Sequence, residues 1–215
     1  TYAYIDADSN TGQTNALGTD AIKVGMLYKP ATVTPIGQTA VLNTTEFVGG
    51  GDTAPRSRPS LAQAFRVNAT GGSFVADVNH LKSKGSACTV PDAGDGQGNC
   101  NASRTVSAKA LATWLDTDPT GTGEKDVVIL GDLNSYAEED PVKALEAAGY
   151  TNLVSSFLGE DAYSYVFDGQ WGYLDHALGS ADLLGKDQVA GVAEFHINAD
   201  EPSVLDYNTD FKTAN

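Results

Sequence analysis

Val127-Val-Ile-Leu-Gly-Asp-Leu-Asn-Ser-Tyr136 opens with four consecutive apolar residues, then a glycine, then two polar side chains two positions apart. An unbroken apolar run of strand length is what a strand covered on both faces requires. The polar pair Asp132 and Asn134 then follows where such a strand emerges into a loop. A carboxylate there can position a nucleophilic water, and an amide can contact phosphate or metal-bound water. A polar turn after a strand would use the same residues.

Around this strand the chain alternates between strand and helix patterns. Residues 2–6, 22–28 and 32–42 read as strands, 43–57 as a loop, and 61–68 with 73–81 as a hairpin about Gly71-Gly72. An amphipathic helix follows, with Val106, Ala110, Leu111, Trp114 and Leu115 on one face and Asn101 or Ser103 as its cap. A second helix starts with Asp140 as cap and Pro141 at its first position, and stops at Gly149. Residues 173–179 and 189–197 complete the strands. Interleaved elements of both kinds predict a layered α/β sandwich and exclude a helical bundle or a pure barrel.

The 215 residues hold 41% apolar and 19% charged side chains, an ordinary globular composition. No apolar run is long enough for a membrane helix. A formal charge of −15 argues against metal-free binding of a polyanion through a basic groove. Cys88 and Cys100 flank a glycine-rich loop without further zinc-ligand spacing, which favours one disulfide and an oxidising compartment over a metal site; a reduced pair is the alternative. The loop Asp92-Ala-Gly-Asp-Gly-Gln-Gly-Asn99 is oxygen-rich, but it lacks the closing glutamate of an EF-hand, so a pinned surface loop competes with a calcium site.

Two further segments carry candidate chemistry. In Val78-Asn-His-Leu-Lys-Ser-Lys-Gly85, strand alternation puts His80 on the face of Phe74, Ala76 and Val78, at the strand's end. There its ring can donate to a phosphate oxygen, with Lys82 and Lys84 close by; a structural histidine is the plainer reading of His80 alone. In Gly172-Tyr-Leu-Asp-His-Ala-Leu-Gly-Ser180, alternation sets Asp175 on the working side and packs His176 among leucines.

NHLKSKG, GDLNSY and YLDHAL, in this order and preceded by Arg58-Pro59, resemble the extracellular endonuclease branch of the endonuclease/exonuclease/phosphatase family. The resemblance spans roughly residues 18–180. It implies a two-layer β-sandwich flanked by helices and in-line hydrolysis of a phosphodiester in DNA or RNA. It further implies one or two magnesium or manganese ions, a secreted protein and no membrane partner. By the same resemblance His80 binds phosphate or donates a proton, and Asp132 positions the attacking water. Asn134 contacts the scissile phosphate, with Asp132 and Asn134 as the groups nearest the metal. Arg58 and Lys82 would bind substrate. Asp175 matches the aspartate that holds a second catalytic histidine; that histidine's own Ser-Asp-His motif, and the family's early metal-binding glutamate, do not occur in this sequence. Residues 1–215 are therefore expected to be the middle and later part of a single domain, with N-terminal and C-terminal segments of the same precursor missing. Calcium remains a candidate for the 92–99 loop. The competing expectations are a phosphatase or sphingomyelinase-like phospholipase of the same family, and a non-catalytic binding or structural remnant.

Overall fold

In the computed structural model, residues 1–167, 169–185, 189, 191–196 and 199–200 are described. The chain begins with β1 (Ala3–Tyr4), α1 (Ala7–Thr11), β2 (Leu27–Tyr28), β3 (Val33–Leu42) and α2 (Thr45–Gly49). The hairpin strands β4 (Ser60–Val67) and β5 (Ser73–His80) lead to α3 (Asn101–Leu115) and β6 (Val127–Asp132). Then come α4 (Asp140–Ala147), β7 (Tyr150–Asn152), α5 (Leu153–Leu158), β8 (Tyr165–Phe167), β9 (Gln170–Gly172), β10 (Asp175–Ser180) and α6 (Ala181–Gly185).

One six-stranded sheet organises the molecule, in the order β3-β4-β5-β6-β10-β7. Only β5 and β6 run parallel. A parallel pair needs a crossover, which α3 provides by returning the chain across the sheet. Strand alternation then sorts the side chains. Ala62, Ala64, Val75, Val127, Ile129 and Leu178 pack against Phe47 of α2, Leu111 and Leu115 of α3, and Val142 and Leu145 of α4. Their neighbours Leu61, Phe65 and Ala76 face the other way, onto Ile5, Leu17, Val24 and Met26 of the N-terminal segment. The run Val127–Leu130 is thus covered on both faces.

The sandwich anticipated from the sequence takes a specific form here. Among the described residues there is one large sheet, helices on one face, and the N-terminal segment with the small β1–β2 ribbon on the other. Several boundaries differ from the sequence expectation. Residues 22–28 supply only a two-residue strand, because Val24 and Met26 pack as an irregular layer rather than joining the large sheet. The expected loop 43–57 contains α2, capped by the Thr44 side chain and ended by Gly50 at φ 56. A β-carbon on Gly50 would stand 2.3 Å from the Ser103 carbonyl, so this approach of α2 to α3 needs glycine. α3 begins after Cys100, with no side-chain cap bond from Asn101 or Ser103, and α4 is capped at Glu139, one residue before Asp140. Of the expected strand 189–197, residues 189 and 191–196 have no regular structure, and 190 and 197 lie outside the described residues. No helix among the described residues is long and apolar enough to cross a membrane.

A carboxyl is sealed under the helices. Asp77 is fully buried, accepting from the Ser60 hydroxyl at 2.5 Å and from the Asn79 amide. Burial pushes its pKa up to about 7, against the two hydrogen bonds that favour the charged form. The folded state therefore holds this proton more tightly than the unfolded chain. Its stabilising contribution is complete below about pH 4 and is lost as pH rises through 7. Chemical denaturation from pH 4 to 8 should show a loss of stability across this window that Asp77→Asn flattens; an unchanged slope in the variant would exclude Asp77 as its source.

Candidate functional site

Register places three of the expected side chains in one row. His80 of β5 is the parallel partner of Asp132 in β6, and Asp175 of β10 is the antiparallel partner of the same Asp132. Side chains directly opposite one another on adjacent strands share a face about 5 Å apart. The row therefore lies at the carboxyl ends of the parallel pair, where sheet-based folds gather ligand-binding groups. Asp132, Asn134 and Asp175 line one cleft of about 680 Å³.

His80 is oriented by the N-terminal segment. Its Nδ1 lies 3.1 Å from the Ile22 carbonyl, which can only accept, so Nδ1 carries the proton. Nε2 is then turned towards Asp132, 3.8 Å from Oδ2. The same turn holds Arg58, whose Nε donates to Asp20 Oδ2 at 3.1 Å while its backbone N–H donates to the His80 carbonyl at 3.0 Å. The Ile22 N–H, and then Arg58, hold the Asp20 carboxyl below its ordinary range. Asp20 carried no assignment in the sequence; in the structure it ties Arg58 beside His80.

The Gly131–Tyr136 stretch is shaped by two unusual backbone conformations. Gly131 sits at φ +120, where an added β-carbon would lie 2.1 Å from the Asn79 carbonyl. Asn134 adopts φ 49, a left-handed conformation that asparagine tolerates. This bend returns the Asn134 N–H to Asp132 Oδ1 at 2.8 Å and sends its side-chain Nδ2 to the Leu81 carbonyl at 2.9 Å, leaving the amide oxygen for a ligand. Burial raises the Asp132 pKa, and the neighbouring Asp175 charge adds to it against the Asn134 N–H, His80 and Arg58. Burial likewise raises that of Asp175. Two carboxylates facing each other on adjacent strands favour a proton or a cation between them.

Arg104 was not among the residues singled out from the sequence. Its side chain is completely buried. Nε donates to Ser135 Oγ at 3.1 Å, and the terminal nitrogens to the carbonyls of Lys82 at 3.1 Å, Asn99 at 2.7 Å and Gln97 at 3.2 Å. One guanidinium thus joins the segment after His80, the segment after Asp132 and the cysteine-flanked loop. The signal was present: positions 104, 107, 108, 111 and 115 form a helical stripe. Its polar members Arg104 and Ser107 hid it, so the buried face is rotated from the one expected through Val106 and Trp114, which are only partly covered.

The two lysines are engaged locally. Lys82 Nζ donates to the Ser83 carbonyl at 2.8 Å and to the Ser83 and Ser86 hydroxyls at 3.1 Å, which holds it within its own loop. Lys84 pairs with Glu139 and donates to the Gln97 carbonyl at 2.7 Å. Lysine and arginine donors thus already occupy the carbonyls of Gln97 and Asn99 in the loop considered for calcium. Cys88 and Cys100 form the disulfide, with α-carbons 5.3 Å apart, and Asp52 secures the loop by accepting from the Thr89 N–H and hydroxyl. His176 is buried, its Nε2 2.7 Å from the Ser135 carbonyl and its ring against Tyr173; burial lowers its pKa to about 4, so it is neutral.

The donor set can be tested against a divalent ion. Among the described residues no cluster of three or more histidine, cysteine, aspartate or glutamate side chains could hold a metal. What the cleft offers is two carboxylates and one amide oxygen. Such a hard, incomplete oxygen set suits magnesium, which binds through one or two carboxylates and completes its shell with waters and phosphate oxygens. It does not suit zinc.

No protein-family model matches the sequence, and no curated protein does. Solved structures do match the fold. The catalytic domain of human Nocturnin with bound sulfate superposes with a TM-score of 0.54 at 15% identity, over 84% of this chain and 60% of that one. An endonuclease/exonuclease/phosphatase family protein from Bacteroides thetaiotaomicron gives 0.55 at 15%, over 84% and 61%. A mannosyl-6-phosphatase from the same organism gives 0.54 at 13%, over 84% and 63%. The chain has the endonuclease/exonuclease/phosphatase type of fold and spans about three fifths of the length of these structures.

Removing the Arg104 side chain strands three carbonyls and a hydroxyl. Arg104→Ala should cost about 3–5 kcal/mol, and Arg104→Lys should restore only part, because an ammonium cannot reproduce the planar fork. Urea denaturation checks both; full recovery in the lysine variant would show that charge alone, rather than the fork, is what the site needs.

Proposed function

We infer that this chain carries the site of a metal-dependent phosphodiesterase of the endonuclease/exonuclease/phosphatase type, acting on DNA or RNA. The observation that carries this reading is the cross-strand row His80–Asp132–Asp175, with Asn134 bent back onto Asp132. Asp132, Asn134 and Asp175 at one cleft, with His80 beside Asp132 in the same row, match the roles that in-line hydrolysis requires.

In the proposed reaction Asp132 orients a water and accepts its proton, for which a raised pKa makes it a stronger base. The water oxygen bonds to phosphorus as the opposite P–O bond breaks, and His80, carrying a proton on each ring nitrogen at this step, donates from Nε2 to the departing oxygen. The Arg58 guanidinium and the second N–H of the Asn134 side chain contact the phosphate oxygens, and Lys82 adds positive potential from within its loop. Magnesium or manganese, held by Asp132, Asp175 and the Asn134 amide oxygen, would supply polarisation of a phosphoryl oxygen. Asp175 has a second role in this reading: it would hold a further histidine contributed by the rest of the domain, of which residues 1–215 would be the middle and later part. The disulfide supports export to an oxidising compartment, hence a secreted enzyme.

A phosphomonoesterase is the second reading, favoured by the likeness to the mannosyl-6-phosphatase structure and by a net charge of −15. The deciding assay measures magnesium-dependent nicking of supercoiled plasmid by the full-length protein, beside a sugar phosphate and sphingomyelin. Plasmid should be cut, and His80→Ala or Asp132→Ala should each lower the rate by at least about 100-fold with the fold retained. Turnover of either small substrate without nicking, or full nicking by both variants, would overturn the nuclease reading.

A further inference from the structure

Beside the catalytic cleft lies a second one of about 550 Å³ that shares Asn134, Tyr165 and Leu174 with it. One wall is the β8–β9 hairpin; the facing wall is the 83–85 segment with Asp92 and Asn99 of the disulfide loop. In this hairpin Tyr165 pairs with Gly172 and Phe167 with Gln170, so Tyr165, Phe167 and Gln170 share one face and Trp171 the other. Trp171 has a partner: it packs edge-on against Tyr163 at 4.5 Å. Tyr165 and Phe167 instead stand nearly parallel, 8° apart with centroids at 6.3 Å, and are 40% and 64% exposed.

The hairpin is seated, not loose, against the Gly131–Tyr136 segment. A β-carbon on Gly172 would lie 2.7 Å from the Tyr136 ring, so Tyr136 rests directly on the hairpin backbone. Lys84 lies over that same ring at 5.3 Å, and its charge is already paired with Glu139. The hairpin wall of this cleft is therefore aromatic, and Lys84 on the facing wall, beside Asp92, is already paired. In a chain of net charge −15, that matters. A duplex presents mostly phosphate to a protein, whereas an unpaired base presents a π-face that needs no neutralisation.

Resting on the phosphodiesterase reading above, we propose that Tyr165 and Phe167 form a stacking subsite for unpaired nucleobases next to the scissile phosphate. The occupant is single-stranded nucleic acid running from the second cleft past Asn134 into the first. Stacking on aromatic rings tolerates any base, because each has a π-face. The subsite thus favours single-stranded over duplex substrate without fixing the sequence.

The test uses the full-length protein and two fluorescein-labelled oligonucleotides: a single-stranded thymidine dodecamer with a phosphorothioate backbone, and its counterpart with abasic sites throughout. Anisotropy should show the dodecamer binding about tenfold more tightly than the abasic strand. In Phe167→Ala, and further in Tyr165→Ala with Phe167→Ala, that preference should disappear while abasic binding is unchanged. Phe167→Tyr should keep the preference, which separates stacking from simple loss of fold. Equal binding of both strands by the unmodified protein, as would follow if another protein segment covered the hairpin, overturns the subsite. So does a preference that survives the double substitution. Neither result touches the phosphodiesterase reading, which plasmid nicking and its His80 and Asp132 variants decide separately.

Discussion

The buried guanidinium of Arg104 is the constraint on which the site depends. A charge removed from water needs every donor satisfied, and here the satisfying atoms come from three separate segments. Its partners are the Lys82 carbonyl after β5, Ser135 after β6, and Gln97 and Asn99 of the disulfide loop. The strands fix where His80 and Asp132 emerge; Arg104 fixes the paths taken by the chain that follows them. The disulfide and the Lys84–Glu139 pair brace the same junction from outside.

Against this rigid frame the cleft itself is electrostatically unfavourable. Asp132 and Asp175 face each other across β6 and β10, both with raised pKa, and a third carboxyl, Asp77, is sealed on the opposite face of β5. Opposed carboxylates lower the stability of the empty fold and at the same time define where a cation or proton belongs. The surrounding apolar layers on both sides of the sheet supply the stability that this arrangement spends.

The sequence was informative wherever periodicity and function coincide. Val127–Leu130 announced a central strand, the 60–80 hairpin was legible from its glycine turn, and alternation correctly set His80 on the Phe74–Val78 face, away from buried Asp77 and Asn79. The motifs led to His80, Asp132, Asn134 and Asp175, which register then brings into one row with a bent-back amide. Arg104 was overlooked because a lone arginine in a helix normally faces water, and its place on the buried stripe was masked by polar neighbours; its three carbonyl partners appear only in three dimensions. The support of His80 and Arg58 by Ile22 and Asp20 was illegible for a related reason. It depends on an irregular turn 58 residues from His80 in the chain, which leaves no periodic trace. Lys82 looked like a free phosphate ligand in sequence; its bonds to Ser83 and Ser86 depend on a loop path that spacing does not encode.

The central claim, that the row at the ends of β5, β6 and β10 is where a divalent ion and a phosphate meet, can be tested without any assumption about substrate. Backbone NMR spectra of the protein titrated with substoichiometric manganese report which amides lie near the ion. The account expects selective loss of the signals of Asp132, Asn134, Asp175 and His80, while residues 92–99, whose carbonyls at Gln97 and Asn99 already bond to Lys84 and Arg104, stay sharp. Broadening centred on the 92–99 loop, or spread evenly over the acidic surface, would contradict it.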